Sequence, residues 1–162
     1  TCNTIESRQR WTDMAKTLAY MVTWTTYGTW LQGNKRPYVK DGQTLPANEP
    51  LADANKEALA KEPVRFNRQH CQIVEDAIRQ KAVQFGQQIY ALVVCYNHLH
   101  LVVGYVPKPI DFVVQHYKAA GLVALRKVGI HGKVWTKGFN KRYCFDQQTL
   151  QQKINYVSKH PK

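Results

Sequence analysis

The stretch from Gln88 to Tyr105 constrains the fold more tightly than any other part of the chain. Two apolar, β-branched runs, Gln88 to Cys95 and His98 to Tyr105, flank the dipeptide Tyr96-Asn97. That pattern reads as a hairpin of two buried strands joined by a tight turn. Side chains alternate along a strand, so His98 and His100 share one face while Leu99 and Leu101 take the other. A rigid sheet thus presents two imidazoles in the same direction. Imidazole is a common ligand for divalent metals, and two of them supply two corners of a coordination site. The alternative is a pair of histidines merely hydrogen-bonded within the sheet.

The remaining elements can be placed around this hairpin. Leu18 to Thr26 alternates β-branched and aromatic residues and reads as a first strand. Cys71 to Phe85 has helical spacing and is ended by Gly86. Pro107 and Pro109 open a second helix, Ile110 to Val128, ended by Gly129. Val134 to Phe145 suggests a fourth strand or short hairpin, and Asp146 is placed to cap a last helix, Gln147 to Lys159, stopped by Pro161. The order is β-α-β-β-α-β, which predicts an α+β, ferredoxin-like antiparallel sheet with one extra C-terminal helix. Residues 1–13 read as a disordered lead before Met14, and residues 14–162 as a single domain. Residues 28–69 carry four of the seven prolines and little periodicity, so they read as a long loop or insertion with a short helix near Asn55–Leu59.

Charge narrows the class of partner. The net charge is +12, and from Lys118 to Lys162 there are ten Lys or Arg against the single acid Asp146. Such asymmetry is the footprint of a polyanion-binding surface, with a solubilising basic face as the plainer reading. No stretch approaches the roughly 20 apolar residues of a spanning helix, and the N-terminus does not resemble an export signal. Four scattered cysteines then read as reduced thiols in a cytoplasmic protein. Cys95, three residues before His98, offers a Cys-x-x-His-x-His zinc arrangement, a weaker reading because a closed zinc site also needs a fourth ligand.

On the last helix Tyr156 and His160 lie four residues apart, one turn from each other on one face, while Leu150, Ile154 and Val157 form a neighbouring apolar face. If that helix covers the histidine strand, three imidazoles converge near one phenol. Tyr156 as a half-buried packing residue, and His160 as a cation at a helix C-terminus, are the bland alternatives.

At this point three motifs match a known family. The segments "CYNHLHLVV", "VWTKGFNKRYCFD" and "INYVSKHP" resemble, in order, those of the single-tyrosine HUH transposases, including the REP-associated tyrosine transposases. The resemblance implies a metal-dependent single-stranded DNA endonuclease and strand transferase that forms a 5′-phosphotyrosine intermediate at a hairpin-flanked site. It implies Tyr156 as nucleophile, and His98, His100 and His160 as ligands for Mg²⁺ or Mn²⁺. His160 stands where relatives often carry Asn or Gln. Tyr117 is the competing nucleophile, though Gly121 occupies the ligand position four residues on. The implied partner is single-stranded DNA, with a homodimer left open. Lys133, Lys137, Lys141, Arg142, Lys153 and Lys159 can track its backbone while Trp135, Phe139 and Tyr143 offer stacking surfaces, with ordinary core packing as the alternative for at least half of these aromatics. Trp24, Tyr27 and Trp30 either floor a nucleic-acid groove or fill the core. A phenol is mostly protonated at neutral pH, so the metal, Lys153 or Lys159 must favour its ionised form. A non-catalytic single-strand binder on the same fold, and a replication-initiator or relaxase-type nuclease, are the alternatives.

Overall fold

The computed structural model describes residues 17–29, 38–40, 43–45 and 62–162. In chain order the strands are β1 (Ala19–Thr25), β2 (Tyr38–Lys40), β3 (Gln43–Leu45), β4 (Ile89–Val94), β5 (His98–Gly104) and β6 (Asn140–Cys144). The helices are α1 (Arg68–Phe85), α2 (Ile110–Arg126) and α3 (Gln147–Ser158). The main sheet runs β4-β5-β1-β6 with every neighbouring pair antiparallel. This is the ferredoxin-like order expected from the sequence, with α3 as the extra C-terminal helix. Two further strands among the described residues, β2 and β3, pair with each other inside the stretch read as a loop. The lead 1–13, Trp30 and the short helix expected near Asn55–Leu59 lie outside the described residues.

Strand alternation sorts the core into two unequal halves. Val22, Trp24, Leu99, Leu101 and Val103 point to one face, where Val74 and Ile78 of α1 and Val113 and Tyr117 of α2 close over them. The opposite face holds Ala19, Met21, Ala91, Val93 and Val102, covered by Leu150 and Val157 of α3. β5 is sandwiched between the halves, which is why it reads as a continuous apolar run broken only by its two histidines.

Helix boundaries follow their caps. α1 starts three residues before the expected Cys71, because Asn67 accepts from His70 N–H at 2.8 Å and donates back to His70 Nδ1 at 3.3 Å. This is a capping box with histidine in the place usually held by Glu or Gln. Gly86 ends α1 in the left-handed region, φ 64°, where a side chain would be strained. Pro109 is the N-cap of α2, which stops at Arg126 rather than Val128. The predicted Asp146 cap holds, with its carboxylate accepting from Thr149 N–H at 2.7 Å. β6 is shorter than the predicted 134–145, since Trp135 makes only an isolated bridge to Thr26 before Gly138 turns the chain at φ 82°.

Candidate functional site

His98 and His100 extend from β5 on the α3 side of the sheet, beside Thr25 and Thr23 of β1. α3 crosses that side and brings Tyr156 to them, and His160 follows two residues past its end at Ser158. Ring centroids are 5.0 Å apart for His98–His100, 5.2 Å for His98–His160 and 4.6 Å for His100–His160. The Tyr156 ring lies 5.6 Å from His100 and 5.9 Å from His160. Tyr156 thus sits against the histidines of its own chain, with about half of its surface open to solvent, 53%.

Each imidazole is held by a neighbour through the same nitrogen. His98 Nδ1–H donates to Asn97 Oδ1 at 2.6 Å, and His160 Nδ1–H donates to the Pro161 carbonyl at 2.8 Å. The third ring, His100, shares a 2.7 Å hydrogen bond between its Nδ1 and Thr23 Oγ1. Hydrogen bonding at Nδ1 fixes ring orientation and assigns metal binding to Nε2. Burial, reinforced by the neighbouring His98 and His160, holds the His100 pKa down to about 4. Its ring is therefore neutral at physiological pH, the form that ligates metal. Donor atoms of Cys95, His98 and His160 also lie within 4.8 Å of one another, so the cysteine that sequence reasoning ranked low borders the cluster, on the Nδ1 side of His160.

The cluster opens into a cleft of about 1,020 Å³. Arg65, Lys137, Arg142 and Lys153 line it, and no carboxylate does among the described residues. An anion entering the cleft meets only cations and dipoles, which raises its local concentration.

The register of β6 divides the residues predicted to bind DNA. Arg142 lies opposite Met21 and faces the cleft, whereas Lys141 and Tyr143 lie opposite Val22 and Tyr20 and face the other side. Lys141 instead pairs with Asp111 at 3.4 Å. Trp135 is core: its ring packs edge-on against Trp24 and Phe66, and its Nε1–H donates to the Lys118 carbonyl at 2.9 Å. Trp24 likewise fills the core. Lys133 is exposed with its ammonium 4.7 Å from the Tyr27 ring centroid, and Lys159 is exposed at the end of α3. Neither lines the cleft. Tyr117 is fully buried on the α1/α2 side, where its hydroxyl donates to Gln87 Oε1 and burial pushes its pKa up. A nucleophile has to meet substrate, so Tyr117 is set aside on burial alone.

Four contributors escaped sequence reasoning. Thr23 and Asn97 orient rings, and a polar residue opposite or beside a strand histidine was the available signal. Arg65 reaches the cleft from a segment with no periodicity. Lys118 is buried and donates to the carbonyls of Thr136 at 3.0 Å and Gly138 at 2.6 Å, fixing the turn that carries Lys137. No helix among the described residues is long and apolar enough to cross a membrane.

No family model matches the chain, and no curated protein matches it either. Solved structures do. One is a REP-associated tyrosine transposase bound to a REP hairpin, with TM-score 0.56 and 12% identity over 87% of this chain and 64% of that one. Another is a candidate transposase of Deinococcus radiodurans R1, with TM-score 0.47 and 19% identity over 88% of this chain and 89% of that one. The chain therefore spans 64% of the length of the hairpin-bound transposase and resembles it in fold.

Proposed function

We propose that this chain nicks and rejoins single-stranded DNA by a metal-dependent route with a 5′-phosphotyrosine intermediate, as a transposase of the single-tyrosine HUH kind. One observation carries the reading: an exposed phenol and three ring-oriented imidazoles meet at the mouth of a cationic cleft free of carboxylates among the described residues. The phosphodiester is the substrate whose charge and bond type fit that combination.

In this reading Arg142, Lys137 and Lys153 hold the strand's phosphates along the cleft floor. Tyr156 Oη gives up its proton and bonds to phosphorus in line with the leaving oxygen. The bond from phosphorus to O3′ breaks, and that oxygen takes up a proton as a free 3′-hydroxyl. The phosphotyrosine ester conserves the bond for later attack by a 3′-hydroxyl, so no external energy source is needed. Lys153, three residues before Tyr156 on the same helix, supplies positive charge to the phosphate that the phenol would attack. His98, His100 and His160 would hold Mg²⁺ or Mn²⁺, which when bound offsets charge developing on the phosphate. Imidazole ligands add no negative charge to such an ion, and an imidazole-rich shell suits Mn²⁺ better than Mg²⁺. The similarly folded transposase is bound to a hairpin, which makes a hairpin-flanked strand the first substrate to try.

Labelled single strands with and without a hairpin, incubated with Mn²⁺ or Mg²⁺, should yield a covalent adduct whose peptide contains Tyr156. An adduct on another residue would overturn the site. DNA binding with no adduct on any strand, unaltered by Tyr156→Phe, would identify a non-catalytic binder instead.

A further inference from the structure

We propose that Cys95 joins His98 and His160 as a second, softer ligand set, selective for cations of the zinc class and overlapping the all-histidine set. The inference rests on the histidine site described above and concerns which ion that site prefers. Cys95 Sγ lies 3.8 Å from His160 Nδ1. Sulfur and nitrogen sharing a tetrahedral zinc ion stand about 3.5 Å apart, so little closure is required. The sulfur is anchored by the hairpin turn, where Cys95 N–H donates to the His98 carbonyl at 2.8 Å, and it touches the Pro161 carbonyl oxygen at 3.5 Å.

The two ligand sets use His160 through different nitrogens. In the all-histidine set its Nδ1 carries the proton given to Pro161 and Nε2 ligates. In the sulfur-containing set Nδ1 faces the cysteine. Binding there breaks the S–H bond, forms a sulfur–metal bond and releases that proton to solvent, while the ring proton moves to Nε2. The metal-free sulfur carries its proton as a donor toward the Pro161 carbonyl oxygen. Mg²⁺ and Mn²⁺ prefer oxygen and nitrogen donors and have little tendency to displace it. Zinc-class ions bind thiolate strongly enough to do so. The pocket thereby separates hard from soft cations, and a soft one draws His160 toward Cys95 and away from its place beside Tyr156.

The test is spectroscopic and independent of DNA cleavage. Full-length wild-type protein titrated with Co²⁺ should develop the near-ultraviolet thiolate-to-cobalt band, and Cys95→Ser should not. X-ray absorption on the zinc-loaded wild type should find one sulfur at about 2.3 Å. Cys95→Ser should lose more than about tenfold in Zn²⁺ affinity while Mn²⁺ affinity changes by less than about twofold. A zinc shell of nitrogen and oxygen alone in the wild type would overturn the proposal, whatever the variant's folding. So would a cobalt band undiminished in Cys95→Ser. Either failure leaves the Tyr156 adduct experiment untouched.

Discussion

The two faces of the sheet are built from the same strands and do opposite things. Toward α1 and α2 the strands present mostly large apolar side chains; the Tyr117 hydroxyl that enters is tied to Gln87, while Trp24 Nε1 is buried with no hydrogen-bond partner among the described residues. Toward α3 a smaller apolar cluster covers half the face, and the other half is left to imidazoles, threonines and a cleft. Alternation on β5 performs the sorting, sending Leu99 and Leu101 into the core and His98 and His100 toward the cleft. A sheet can carry a polar site when its reverse side holds the fold together.

That separation can be attacked from either side. The largest effect is expected for Tyr156→Phe, which should abolish covalent adduct by at least about a thousandfold while leaving melting temperature and DNA affinity near wild type. A parallel loss of stability would mean that the α3 face is as structural as the other. Leu101→Ala, pointing the opposite way, should cost about 2–5 kcal/mol in urea unfolding yet leave metal affinity of the folded protein intact.

Acid should reveal His100. Its folded pKa of about 4 lies below the unfolded value of 6.5, so the unfolded chain takes up the proton first. Stability contributed by the neutral ring is complete above pH 6.5 and is lost as pH falls through that window toward 4. The loss should reach about 2–3 kcal/mol in chelator-treated protein, and His100→Gln should flatten that part of the curve. Tyr117→Phe leaves Gln87 Oε1 short of a donor and should cost about 1–3 kcal/mol, with adduct formation unchanged. Adduct loss in that variant would restore Tyr117 as a contender. The smallest contrast lies on one strand. Arg142→Ala should lower the salt dependence of DNA binding by about one phosphate's worth, and Lys141→Ala should not.

Much of this division could be read from the chain before any coordinates. Alternation in the His98–Val103 run fixed which side chains share a face, whereas His160, expected one helical turn from Tyr156, lies past the end of α3 at Ser158 and still meets the cluster. What could not be read is instructive. Lys141, Arg142 and Tyr143 are equivalent as composition, and only the pairing of β6 with β1 decides which of them meets the cleft. Trp135 looked like a stacking platform because its neighbours are basic, but a bridge to Thr26 turns it into the core. The start of α1 was hidden because its reciprocal cap uses a histidine. Cys95 was undervalued because nothing local announces that Pro161, 66 residues away, folds back onto it.

β6 is the outer strand of the main sheet, and its sequence Asn-Lys-Arg-Tyr-Cys puts two adjacent cations on an open hydrogen-bonding margin. Unsatisfied strand margins recruit other strands, and charge is the usual deterrent. Lysine and arginine here keep neighbouring copies from zipping onto the sheet, whichever way each side chain points. Exchanging both for valine would remove that deterrent and leave the rim of the molecule a seed for aggregation.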